Sequence, residues 1–474
     1  MIRKYIFILT AVLLLPAAAV AQEVTVVGID NPAPEAVDGS QNARPWTLAE
    51  CIAWARDNNI QILQQELYAK DAEMAVSQAK LNYIPSLSAG GNYNTTFAES
   101  LDPVSGVTQG SYSSISASAS LSTDLFAGFK KLHNLRRADL SLRETLMSIE
   151  KAKNDLELNV TAAYLDILSA EERVHISQAQ QETLQLQVDN SQKLVDAGKS
   201  TLGDLLQLQA QLADVKQQLL QNENQRILAY FNLCQLLEIE DFMNFRIITP
   251  EQVTIITDSA FSSTREIIEA AQALPQIEGA KLGVEIAERD IKIAKADHYP
   301  SLRFSAGYGS SYSTNQSKAI PDPNNPTGYI YEKYPFGEQI RDHASPSISL
   351  SLSIPIFNSF QTRNNVRSKR IALQRADYNM MLAQKQISKD IQQAFIDATG
   401  ALEQYNSAVA NVSTNEEAFR IVEQKFNLGA ATPIDYSIAL YNLTNSRAQL
   451  SQAKYQYVFK SKILDFYKGV PIDL

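Results

Sequence analysis

The 474-residue chain carries 42 Lys and Arg against 52 Asp and Glu, a formal net charge of −10, which excludes the basic footprint of a nucleic-acid binder. At 45% hydrophobic residues it can bury a large core and is not a disordered chain. Its two cysteines, Cys51 and Cys234, and its four scattered histidines offer no metal-ligand spacing, so neither a metal nor any other cofactor is expected.

The first element reads as a signal peptide over 1–21. Arg3 and Lys4 precede an apolar run that ends in the small residues Ala19-Val20-Ala21, a cleavage pattern, and Pro16 argues against the alternative of an uncleaved anchor helix. Gln22 rather than Cys follows the cut, so no lipid anchor is expected. Residues 22–45, rich in Pro, Gly and Asn, read as an extended arm. No later apolar stretch is long enough for a spanning helix, so a membrane crossing by this chain requires a barrel.

From residue 46 onward the chain is written twice. Pro85-Ser86-Leu87 falls on Pro300-Ser301-Leu302 at an offset of 215, and beyond the next hairpin Phe126, Arg136 and Gly198 fall on Phe357, Arg367 and Gly429 at an offset of 231. The first repeat, 46–237, is expected to hold a helix from Thr47 to Asn82, strands at 86–96 and 112–126, a long helix at 129–197 and a return helix at 202–237. A connector at 238–263 follows, expected to wrap the molecule at mid-height. The second repeat, 264–474, is expected to hold a helix from Thr264 to Asp297, strands at 301–312 and 345–357, a long helix at 360–428 and a return helix at 433–467. The difference of offsets marks an insertion between Ser313 and His343, where Pro321, Pro323, Pro326 and Gly328 predict an irregular loop.

The strands alternate strictly. Ser114, Ser116, Ser118, Ser120 and Ser122 alternate with Ile115, Ala117, Ala119 and Leu121, and Ser347, Ser349, Ser351 and Ser353 alternate with Ile348, Leu350 and Leu352. Alternation of this kind also fits a soluble sheet with one wet face. A polar face made almost wholly of serine, with aromatics near both ends, favours tilted membrane strands around a hydrated lumen. The 69 residues between Gly128 and Gly198 contain neither Pro nor Gly, and as one helix they would span roughly 100 Å. Heptad-spaced apolar residues such as Leu135, Leu142, Ile149 and Leu156 give this helix a coiled-coil-like seam.

Four strands cannot close a barrel in lipid without leaving backbone groups unsatisfied, so several chains must share one. Eight strands leave an interior filled by side chains, whereas twelve leave a channel. The expected fold is therefore an α+β membrane protein. Long α-helices form an α-helical barrel, four strands per protomer build a shared 12-stranded β-barrel in a trimer, and each protomer is internally duplicated.

The paired turns Ala197-Gly198-Lys199-Ser200-Thr201-Leu202-Gly203-Asp204 and Leu428-Gly429-Ala430-Ala431-Thr432-Pro433-Ile434-Asp435, with the duplicated element order, resemble the TolC family of outer-membrane efflux proteins from about Trp46 onward. The resemblance implies a homotrimer in outer-membrane lipid whose helices cross the periplasm. It also implies a closed tip that docks a periplasmic adaptor protein of an inner-membrane pump. Gly198, Thr201, Asp204, Gly429 and Thr432 are the implied docking tip. The best-known member bonds its tunnel shut through an Arg and a Tyr where this chain has Ala431 and Phe426, and the second of its acidic rings falls here on Ile438. Asp435 is retained. Three copies of Asp435 would form a cation-biased constriction with closure by packing at Phe426; the competing reading is that Asp435 only caps its helix.

No nucleophile elbow or catalytic carboxylate cleft is present, and Gly198-Lys199-Ser200 lacks the earlier glycine of a phosphate loop, Lys193 standing in its place. The sequence therefore predicts a non-enzymatic, passive exit duct for efflux or type I secretion. The alternative is a periplasm-spanning coiled coil that transports nothing.

Overall fold

The computed structural model describes residues 44–97, 100–101, 108–109, 111–249, 264–323 and 325–472. The expected signal peptide, the arm up to residue 43 and the connector from 250 to 263 lie outside the described residues.

Helices dominate. α1 (Leu48–Asn58) and α2 (Ile60–Leu81) replace the single helix expected from Thr47 to Asn82. The break is Asn59, extended at ψ 126, whose side chain accepts from Gln61 N at 3.0 Å and donates to Leu236 O at 3.0 Å. Asparagine offers the backbone a local partner that competes with the helical ladder. α3 (Lys130–Asp196) and α8, which follows the sheet at Gln361–Asn427, are each 67 residues long, roughly 100 Å of continuous helix. α8 passes through Gly400 unbroken. α4 (Leu202–Leu237) returns along α3, and α9 (Pro433–Tyr467) returns along α8. The second half opens with α5 (Thr264–Ala270) and α6 (Pro275–Ala296), which replace the single helix expected from Thr264 to Asp297, the break falling at the extended Leu274 before Pro275. Asp290 of α6 takes Arg137 of α3 at 2.7 Å and Lys369 of α8 at 3.0 Å, so one carboxylate ties both long helices together near their starts.

β1 (Ser86–Thr96), β4 (Tyr112–Ala127), β5 (Ser301–Ser313) and β8 (Ser345–Ser353) form one antiparallel sheet in that order. The short pair β2 (Ser100–Leu101) and β3 (Thr108–Gln109) lies between β1 and β4 in the chain. Register puts like with like: Ser86, Ser122, Ser305 and Ser349 stand side by side across all four strands, and Leu87, Leu121, Ala306 and Ile348 form the next row on the opposite face. The serines bond across strands, Ser88 to Ser120 through their hydroxyls at 2.9 Å. The apolar face is bare, with Leu87 74% and Ile348 80% exposed. β1 and β8 each keep an unpaired edge within the protomer.

The segment expected as an irregular loop is structured instead. β6 (Ser317–Asp322) and β7 (Asn325–Lys333) form a hairpin whose turn uses the Pro-rich run, while Ile320 pairs with Ile330 behind it. The short helix α7 (Phe336–Asp342) then seals the end of β5. Gln339, 1% exposed, accepts from Ser313 N at 2.9 Å and donates to Ser313 O at 3.1 Å, a side chain acting as a ladder rung. β8 stops at Ser353 rather than 357 because Ser353 pairs with Ser301, where its partner β5 begins.

Three cores lie along the helices. The largest surrounds Tyr164 at mid-α3, where Trp46 bridges Ile247 and the Tyr164 hydroxyl donates to Ile248 O at 2.6 Å. Cys51 and Cys234 are buried here as free thiols, and burial pushes both up to about 12. A second core joins Ile387 and Ile391 of α8 to Ile267, Ile277 and Leu464. The third lies at the far end of the helices.

Candidate functional site

Both long helices end in the same way, and the chemistry of the ends sets the spacing seen in the sequence. Gly198 (φ 68) and Gly429 (φ 72) take the left-handed conformation that glycine adopts without steric cost. Around them Gly198 N donates to Val195 O and Lys199 N to Leu194 O, and Gly429 N donates to Phe426 O and Ala430 N to Lys425 O. This is the paired Schellman closure. Three residues beyond each glycine a threonine caps the next helix, Thr201 accepting from Asp204 N and Thr432 from Asp435 N, both at 3.2 Å.

The aspartates close each cap from the other side. Thr201 donates its hydroxyl to Asp204 Oδ2 at 2.8 Å. Asp435 Oδ2 accepts from both the Thr432 backbone N–H (3.0 Å) and its hydroxyl (2.7 Å), a full capping box, with Pro433 set in the first turn. The Thr432 backbone donor, then its hydroxyl, hold the Asp435 carboxyl below the usual carboxylate range. Both bonds fall on Oδ2, which leaves Oδ1 of this exposed residue without a bond among the described residues.

Beneath the two turns lies the third core. Leu184, Val188, Leu205, Leu208 and Leu212 pack with Tyr436 and Leu440 from the other helical pair. Phe426 is half-buried and lies 5.0 Å from the Tyr436 ring, tilted by 39°, with Phe419 at 5.3 Å on the same ring. Ala431 is half-buried in the turn, whereas Ile438 is 55% exposed. With Ile434 (43%) and Tyr441 (62%), Ile438 forms an uncovered apolar stripe at i, i+4 and i+7 on α9. The end of the molecule thus brings together Gly198, Thr201, Asp204, Phe426, Gly429, Ala431, Thr432, Asp435 and Ile438.

Sequence reasoning missed Tyr436, which is 1% exposed and is the hinge of this core. Burial raises its phenol, and Gln187 stands near without hydrogen-bond geometry. The signal was there in Tyr436, Leu440 and Leu443 at helical spacing.

The model of one family, described as outer membrane efflux protein, matches residues 52–237 and 267–469. The chain belongs to the outer membrane efflux protein family. Members of this family are channels rather than enzymes, and the protein sits in the outer membrane and extends into the periplasm. It is 22% identical over 427 residues to outer membrane protein TolC of Vibrio cholerae, covering 89% of this chain and 90% of that protein. It is 21% identical over 334 residues to the alkaline protease secretion protein AprF of Pseudomonas aeruginosa, covering 69% and 64% of the two chains. Among solved structures, the outer membrane protein VceC from Vibrio cholerae superposes with a TM-score of 0.70 at 17% identity, over 89% of this chain and 96% of that one. A membrane protein from Pseudomonas aeruginosa gives 0.71 at 17% identity, over 93% and 98%.

Proposed function

We propose that three copies of this internally duplicated chain assemble into a passive exit duct for an efflux or type I secretion system, closed at its periplasmic tip until a partner opens it. The observation that carries this reading is the sheet: four strands, two unpaired edges, one serine face and one bare apolar face. An open edge in lipid costs several kcal/mol per unsatisfied backbone group, and joining β8 of one copy to β1 of the next removes every edge. Twelve strands put the serine rows around a wet lumen and the leucine rows against lipid.

At the other end, the turns after α3 and α8 form the docking surface for a periplasmic adaptor protein, through Gly198, Thr201, Asp204, Gly429 and Thr432. The adaptor links the duct to an inner-membrane pump that supplies the energy. Asp435 serves as cap and constriction together, Oδ2 holding the helix start and Oδ1 facing the lumen. The stripe of Ile434, Ile438 and Tyr441 packs the closed tip against neighbouring copies, and Phe426 with Tyr436 stiffens it from inside. The absence of charge at Ala431 makes this a closure by packing.

Native mass spectrometry of the detergent-extracted protein tests the assembly: the expected mass is three chains, and a monomer refutes the reading. In planar bilayers the wild-type channel is expected to prefer cations. Asp435→Ala is expected to shift the reversal potential toward zero, and an unmoved potential leaves Asp435 a cap only.

A further inference from the structure

We propose that the start of α8 carries a built contact for anionic glycerophospholipids of the periplasmic leaflet, formed by Arg363, Arg367 and Arg370. The proposal rests on the reading of the sheet as a membrane barrel. In a chain of net charge −10, residues 361–376 hold five cations and no acid. The matching start of α3 holds Lys130, Lys131, Arg136 and Arg137 before its first acid, Asp139, and Arg136 stands 231 residues before Arg367. Helix electrostatics disfavours the cations of the first turns, Lys130, Lys131 and Arg363, where the macrodipole is positive, and neither helix has an acidic residue in its first turn to offset them. An external anion at these starts would offset that unfavourable interaction.

Some of these cations have one inside the protomer. Lys130 pairs with Asp297, and Arg137 and Lys369 share Asp290. Arg136, Arg363, Arg367 and Arg370 are exposed and make no ion pair among the described residues. Arg363, Arg367 and Arg370 recur at i, i+4 and i+7, one face of the helix, while Thr362 and Val366 are buried and Lys369 is turned toward α6. The stripe therefore points away from the protomer.

Its height follows from the aromatic residues above it. Phe126 pairs with Leu302 on the apolar face of the sheet and meets Phe129 edge-on at 5.4 Å; Phe357 and Phe360, 231 residues on, repeat the contact at 5.4 Å. These rings mark the lower rim of the apolar belt, as aromatics do at a membrane interface. The Arg363 guanidinium lies 5.7 Å from the Phe360 ring centre, directly at that rim. At 1.5 Å per residue, Arg367 begins about 10 Å and Arg370 about 15 Å below Phe360. Long arginine side chains reach back toward the interface, and the attraction of an anionic leaflet extends over a Debye length of about 8 Å. The three guanidiniums thus cover the depth of one phosphate headgroup layer. Arginine also binds phosphate bidentately, which lysine does not.

The test uses the full chain reconstituted in phosphatidylcholine vesicles doped with spin-labelled phosphatidylglycerol or spin-labelled phosphatidylcholine, reading the lipid immobilised at the protein surface. A cation near an anionic leaflet is worth about fivefold; averaged over a shell in which only some sites discriminate, the wild type is expected to prefer phosphatidylglycerol at least about twofold. R363Q/R367Q/R370Q is expected to abolish the preference, and R363K/R367K/R370K to keep part of it. Equal preference in the wild type and the Gln variant overturns the proposal, as does a wild type without preference. A wild type that forms conducting pores but shows no lipid preference refutes this inference alone, whereas failure to insert refutes the barrel reading beneath it. Preference for lipopolysaccharide over phosphatidylglycerol in a parallel arm also overturns it.

Discussion

Replacing Gly128 by alanine should cost far more than replacing Gly429, although both residues sit at positive φ, 61 and 72. A Cβ at Gly429 meets nothing within 4 Å, so Gly429→Ala carries only the left-handed penalty of an L-residue, about 1 kcal/mol. A Cβ at Gly128 would lie 2.7 Å from Ala296 O, 3.2 Å from Ala296 Cα and 3.0 Å from Tyr299 Cβ. Two of those three atoms are backbone at the end of α6 and cannot rotate away, so the overpacking cost of about 1–3 kcal/mol adds to the conformational one. The sum is about 2–4 kcal/mol. Position 359, the counterpart in the second half, already bears a side chain at φ 53, so Ser359→Gly relieves a left-handed penalty of about 1–2 kcal/mol against an unfolded-chain entropy cost of about 0.4–1 kcal/mol, a small net gain. Urea or thermal unfolding in one detergent, followed by helical circular dichroism, ranks the three variants. A Gly128→Ala midpoint no lower than that of Gly429→Ala would show that the strand-to-helix junction does not close on α6 as described.

Thr432→Ala removes the cap of α9 and should lower stability by about 1 kcal/mol, read as faster hydrogen exchange at the start of that helix; unchanged exchange would contradict the capping box. Because the Asp435 carboxyl is held low, its contribution to the cap is complete above the ordinary aspartate range, about pH 4, and is lost as pH falls through the depressed value. The protection factor at the start of that helix, the intrinsic exchange rate at each pH relative to the observed one, should therefore be flat from neutral pH to about 5 and fall only in stronger acid. With their thiols pushed up to about 12, Cys51 and Cys234 should resist maleimide at pH 8 while folded and react on unfolding; fast labelling of the native protein would refute their burial. Tyr164→Phe deletes the bond to Ile248 O, costing about 1 kcal/mol, and should speed proteolysis near residues 245–248 without altering the tip.

Much of the architecture was written in local chemistry. The serine alternation of β4 and β8 announced a two-faced sheet, and 69 residues without Pro or Gly announced α3. What stayed hidden depended on partners distant in sequence. Asn59 looked like an ordinary polar helical residue until Leu236 O, 177 positions away, gave its amide a reason to break the helix. The proline-rich run after Ser313 suggested disorder of path, yet Ile320 and Ile330 needed only a turn between them to pair, and Gln339 needed the open rung at Ser313. Cys51 and Cys234, 183 positions apart, gave no sign in the sequence of sharing one core.

The tip shows where a pattern can mislead. A glycine six residues before an aspartate follows from closing one helix and capping the next: glycine at the left-handed position, threonine three on, carboxylate at the third helical residue. Any tight helical hairpin built this way produces the spacing, so its occurrence at both Gly198 and Gly429 is evidence of two alike turns and not, by itself, of a gate. Both carboxylates have exposed apolar neighbours, and the two turns differ in how far the apolar stripe runs beyond them. Asp204 is flanked by the exposed Leu202 and Leu206, and Asp435 lies beside the exposed Ile434 and Ile438, which continue with Tyr441 as an uncovered stripe along α9. A helix whose core side is already filled by Tyr436 and Leu440 has no use for a second apolar stripe within one chain. In the trimer proposed above, a neighbouring copy would cover that stripe, and Ile438→Ser would weaken the closed tip without touching the Tyr436 core.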